Sequence, residues 1–132
     1  VMDRFREQGL MDGVRFTGAI PEAEKNRLLS EARIGLSLSS EEGWGLAVNE
    51  YLACGLPVVA YDLPVFRDLF PDLLDSVPLG DLTAASQAIL ELLDDPKERQ
   101  LQGQIGREYV RRYDYREMAL KELEHLKSLC IA

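Results

Sequence analysis

The residues best placed to do chemistry lie in the stretch Ser39–Asp62, SSEEGWGLAVNEYLACGLPVVAYD. Gly43 and Gly45 flank Trp44 just ahead of a helix-like run that begins at Leu46. Glycines at such a place let the backbone approach a ligand closely, and free N–H groups at a helix start bind anions such as phosphate. A G-x-G pair alone is a weak signal, because turn glycines are common. Glu50 says more. By helical spacing it shares a stripe with Leu46, Ala53 and Cys54, while Val48, Tyr51 and Leu52 cover another face. An acid on so apolar a helix is expected to be partly buried, and a buried carboxylate needs a partner. Two readings stay open at this point: an internal salt bridge to an arginine such as Arg33 or Arg67, or a ligand role. A carboxylate accepts two hydrogen bonds from a vicinal diol such as a ribose, which suits a site beside a phosphate cradle. Glu41 and Glu42 precede the same helix, where they either compensate its N-terminal dipole or face a ligand.

The elements that must position these residues alternate strand and helix. VRFTG (Val14–Gly18) is a strand candidate, and Pro21, Glu22 and Glu24 open a helix carrying Leu28, Leu29 and Ala32. IGLSLS (Ile34–Ser39) reads as a strand, LAVNEYLAC as a helix stopped by Gly55, and PVVAYD as an apolar strand without alternation. Such continuous apolar strands between helices belong to parallel sheets. A short helix VFRDLF, a weaker strand DSVPLG and three further helices follow. Asp81 or Thr83 would cap the first, with the stripe Leu82, Ala85, Ile89, Leu92. The second carries Leu101, Ile105 and Tyr109. Asp114 would cap the last, with the seam Ala119, Leu123, Leu126, Cys130. This order predicts an α/β fold, a Rossmann-like parallel sheet with helices on both faces. Val1–Gln8 reads as a helix ending at Gly9 with no strand ahead of it, so the chain reads as beginning within a fold.

Composition bounds the partners. The 132 residues fit one domain, and 46% hydrophobic residues can form a real core. A net charge of −8, from 23 acids and 15 bases, argues against nucleic acid as a partner. Cys54 and Cys130 match no metal or redox spacing and are expected to be buried free thiols, which favours a reducing, cytoplasmic compartment. No run reaches transmembrane length.

The motif combination resembles a known family. EGWGLAVNE followed by LACGLPVVA looks like the signature of retaining GT-B glycosyltransferases of family 4, the glycosyl transferases group 1. Glu42 and Glu50 are separated by seven residues that include the two glycines, as in that signature, and Trp44 stands where Phe is usual. VRFTGAIPEAE, ARIGLSLSS and YDYREMALKEL resemble the flanking elements, so the resemblance covers nearly the whole chain. It implies that residues 1–132 are part of a GT-B C-terminal domain, without that domain's first strands and without the N-terminal domain that supplies the acceptor site. The absent strands would lie centrally, between VRFTG and IGLSLS.

The resemblance further implies a nucleoside-diphosphate sugar as donor, transfer of a hexose-type sugar with retention, and no metal or other cofactor. Glu42 would contact donor-sugar hydroxyls and is the catalytic candidate. Gly43, Trp44, Gly45 and Leu46 would hold the diphosphate through backbone N–H groups, and Glu50 would hold the ribose. The fragment alone would be inactive, and any peripheral membrane contact would come through the absent part. The alternatives are a GT-B nucleotide-sugar epimerase and a non-catalytic nucleotide-sugar-binding domain. Trp44 either lines the donor pocket or anchors its loop in the core, with anchoring preferred. Arg67 and Asp68 face the same rim, where a local ion pair competes with a ligand role. His125 reads as a helix-surface residue.

Overall fold

In a computed structural model, residues 6–9, 11–113 and 115–130 are described. Three strands form a parallel sheet in the order β1 (Gly35–Ser37), β2 (Val58–Tyr61), β3 (Asp75–Val77). The register pairs Leu36 with Val59 and Ala60 with Ser76. β2 is buried along its whole length, which explains its unbroken apolar sequence. Among the described residues, six helices with both ends defined accompany the sheet: α1 (Glu22–Glu31), α2 (Leu46–Ala53), α3 (Pro64–Leu69), α4 (Leu82–Asp94), α5 (Pro96–Val110) and α6 (Tyr115–Cys130). α2 lies on β1 and β2, α4 on β2 and β3, and α5 packs against both helices. Val48 and Leu52 of α2, Val58 and Val59 of β2, and Phe66 of α3 are the large side chains at the centre of the core.

Local chemistry sets the helix ends. Asp81 caps α4 by accepting from the Ala84 N–H at 2.9 Å, so Asp81 rather than Thr83 is the cap. Asp95 caps α5 by accepting from Lys97 and Glu98, with Pro96 in the first turn. Gly55, at φ +76°, ends α2 as expected. Asp114 lies outside the described residues.

Four expectations are corrected. Val14–Gly18 is not a strand, because no strand lies between it and β1 among the described residues and its backbone has no ladder to join. Cys54 is exposed, on the outer side of α2, whereas the Cys130 side chain lies outside the described residues. On α4, Leu82 is exposed while Ala85 and Leu92 are buried. On α5 the inward face is not Leu101 and Ile105, which are exposed, but Gly103, Gly106 and Val110. The reason is close approach: a Cβ at Gly103 would stand 2.1 Å from the Gly55 carbonyl oxygen, and one at Gly106 would stand 2.6 Å from Leu52 Cδ2. Tyr109 then ties α5 to α3 by donating to the Leu69 carbonyl at 2.9 Å.

Candidate functional site

The loop 38–45 leaves the carboxyl end of β1 and enters α2, the end of a parallel sheet where ligands bind. Gly45 is the residue before the helix and has left-handed backbone angles, φ 70° and ψ 44°. A Cβ there would lie 2.8 Å from Phe66 and 3.1 Å from Phe70, so both the angle and the packing select glycine. Gly43 differs: nothing lies within 4 Å of its would-be Cβ, and its backbone is not left-handed. The two glycines therefore have separate tasks. Gly45 seats the helix start on the aromatic core, and Gly43 keeps the loop's outer surface open.

No side chain caps α2, so its first N–H groups carry the positive end of the helix dipole without an internal acceptor from a capping residue. Asn49 N–H closes the first turn onto the Gly45 carbonyl at 3.0 Å. The expectation that Trp44 anchors the loop is corrected. Its side chain is 43% exposed, because Gly45 occupies the place against Phe66 and Phe70. Leu46, 59% exposed, follows it on the same outer surface, and Glu42 is half-buried at the loop's start.

Glu50 also departs from expectation. The stripe Leu46, Glu50, Ala53, Cys54 is the solvent side of α2, and Val48 and Leu52 form the buried side. Glu50 is thus 47% exposed, and its partner is Lys25 on α1 rather than Arg33 or Arg67, at 2.6 Å from Nζ to Oε1. Lys25 is a residue that sequence reasoning missed, since nothing in the first turn of α1 signals a contact 25 residues away. The two carboxylates raise the Lys25 pKa, Glu50 more than Glu22. Arg67 is held by Asp62 in a two-point ion pair at 2.6 and 2.7 Å, which lowers the Asp62 pKa. That supports the local-pair reading of Arg67, with Asp62 rather than Asp68. His125 is exposed, as expected.

Helical rise places Glu50 about 6 Å along the axis from Leu46. Helical side chains lean toward the N-terminus, so Glu50 leans toward the loop. A row of N–H donors and an exposed carboxylate one turn away can receive an anion and a diol together.

A cleft of about 190 Å³ lies elsewhere, at the amino end of β3, lined by Asp72, Leu73, Leu74, Asp75, Glu98, Gln102 and Ile105. Burial raises the Asp75 pKa, the Gln102 amide opposes this, and the charges of Glu98 and Glu91 add to it. Gln102 Nε2 donates to Glu98 at 3.0 Å, leaving Gln102 Oε1 and Asp75 Oδ2 both buried without a donor. The raised folded pKa makes Asp75 stabilising below its unfolded pKa of about 3.9, a contribution lost as pH rises through the folded value. Asp75→Asn is therefore expected to raise the melting temperature at pH 7 and to leave it unchanged near pH 3. An equal effect at both pH values would show that Asp75 ionisation does not limit stability.

The parallel sheet with its covering helices, and a loop at the carboxyl end of β1 that leads into a helix, form a Rossmann-like unit of the kind found in a GT-B fold. The chain belongs to the glycosyl transferases group 1 family, whose model matches residues 2–109. It is 34% identical over 115 residues to a phosphatidyl-myo-inositol mannosyltransferase of Mycobacterium leprae, covering 85% of this chain and 31% of that protein. It is 26% identical over 124 residues to O-antigen chain mannosyltransferase B of Escherichia coli, covering 93% of this chain and 32% of that protein. Among solved structures, sucrose-phosphate synthase from Thermosynechococcus elongatus superposes with a TM-score of 0.89 at 29% identity, over 97% of this chain and 33% of that one. The chain thus spans about a third of the length of these relatives.

Proposed function

We propose that this chain is the donor-binding part of a retaining glycosyltransferase that moves a hexose-type sugar from a nucleoside diphosphate to an acceptor. The observation that carries the reading is the uncapped start of α2 with Glu42 before it and Glu50 one turn beyond, on the outer surface. In this reading the backbone N–H groups around Gly43, Trp44, Gly45 and Leu46 receive the diphosphate. Charge growing on the leaving diphosphate then meets the positive helix end, which favours the transition state over the ground state. Glu42 accepts from donor-sugar hydroxyls and is the catalytic candidate, and Glu50 accepts from the ribose diol. The mannosyltransferase relatives support a hexose as the sugar.

Glu41, Glu42 and Glu50 lie on the loop or one turn beyond it, and Lys25 and Arg67 are each engaged by carboxylates. A diphosphate is poorly held by N–H groups among acids, so further cations must come from other parts of a longer protein. We therefore take residues 1–132 as part of a GT-B C-terminal domain that acts with a preceding N-terminal domain. By itself the segment is inactive. A cytoplasmic location, metal independence and the absence of a cofactor complete the proposal.

The test is product analysis by NMR with full-length protein, candidate nucleotide sugars and a panel of hydroxyl acceptors. A glycoside with the donor's anomeric configuration is the expected product. An inverted glycoside overturns retention, and an epimerised nucleotide sugar overturns transfer.

A further inference from the structure

We propose that Lys25 is a positioning residue for Glu50, holding in advance the carboxylate that the donor site uses. The proposal rests on the reading of Glu50 given above. Glu50 stands on the solvent side of α2, between Leu46 and the pair Ala53 and Cys54, of which only the Cys54 thiol is a donor, and a weak one. The neighbouring amide, Asn49 Nδ2, is turned to the Gly45 carbonyl at 3.4 Å. Left to its own helix, the carboxylate would sample several rotamers in water. The group that fixes it arrives from another element: Lys25 Nζ, 2.6 Å from Oε1.

Lys25 is itself fixed. Its Nζ also contacts Glu22 Oε1 at 2.9 Å, one turn back on α1. Glu22 is the first residue of that helix and follows Pro21, whose ring restricts the backbone. The ammonium is thus held between two carboxylates and its side chain is only 31% exposed. This arrangement leaves Glu50 Oε2 and the second lone pair of Oε1 open, which is the acceptor capacity a vicinal diol requires. Ordering the acceptor before the ligand arrives lowers the entropy lost on binding. An ion pair that merely joined α1 to α2 would have no such link to sugar hydroxyls, and exposed pairs contribute little to stability.

The difference can be read with nucleotides that carry or lack the diol. The full-length protein is titrated calorimetrically with UDP, GDP and ADP, and the tightest binder is compared with its 2′,3′-dideoxy form. Lys25→Met is expected to weaken the ribonucleotide roughly 3–10-fold and to leave the dideoxy form unchanged. Lys25→Arg should restore most of the loss, and Lys25→Met should add nothing to Glu50→Ala. If Glu50→Ala discriminates the two nucleotides while Lys25→Met weakens both equally or neither, the positioning role is overturned and the role of Glu50 stands. If Glu50→Ala fails to discriminate them, the reading of Glu50 falls and this proposal falls with it.

Discussion

Gly103→Ala is expected to destabilise the protein by roughly 1–3 kcal/mol or more, the range for overpacking a well-filled interior. The added Cβ would meet the Gly55 carbonyl oxygen at 2.1 Å and its carbon at 2.9 Å, both backbone atoms. Backbone at a helix end, with Gly55 already in the left-handed region, has no side-chain torsion by which to withdraw. The substitution therefore separates α5 from α2, and the loss spreads to Leu52 and Val110 in the shared core. Gly106→Ala meets the tip of the Leu52 side chain at 2.6 Å and should cost less, because a rotamer change relieves it. Gly43→Ala meets nothing within 4 Å and should be nearly neutral. Denaturant melts of the three variants in the full-length protein should rank in that order. Equal midpoints for Gly103→Ala and Gly43→Ala would show that the helix crossing slides without cost.

The second large effect concerns Glu42. If it accepts from donor-sugar hydroxyls, Glu42→Ala removes hydrogen bonds to a charged acceptor, worth about 1.5–3 kcal/mol. The expected result is a fall in kcat/KM for sugar transfer of about 10–150-fold. Binding of the nucleoside diphosphate without its sugar should be unaffected, since Glu42 does not reach the ribose in this account. Glu50→Ala should instead weaken the nucleotide and the nucleotide sugar alike. The contrast assigns the two acids to separate parts of one donor. Glu42→Ala with unchanged transfer kinetics would remove it from the reaction.

The punctuation of the fold was legible because its causes are local. Gly55 ends a helix through its own backbone angle, Asp81 starts one by accepting a single backbone N–H, and β2 is apolar because it is covered throughout. The loop and its acids were also found at the right end of the sheet. What was not legible depends on neighbours distant in sequence. α2 has apolar residues on both sides, so its pattern did not reveal that Glu50 and Cys54 face outward. Nothing near Glu50 in sequence pointed to Lys25. Trp44 suggested an anchor by its size, whereas the anchor point belongs to Gly45, where the absence of a side chain admits Phe66 and Phe70. Gly103 and Gly106 did carry a signal that periodicity overlooked: two glycines one turn apart inside a helix weaken it unless close packing compensates. Val14–Gly18 has the residues of a strand, but a strand also requires a partner.

The central claim is that α2 presents Glu50 to the ribose of a nucleoside diphosphate bound at its start. Calorimetric titration of the full-length protein with UDP, GDP and ADP, before and after Glu50→Ala, tests it most directly. The account predicts that one of the three binds preferentially and that the substitution weakens it about 10–150-fold. Unchanged affinity for all three after Glu50→Ala would contradict it.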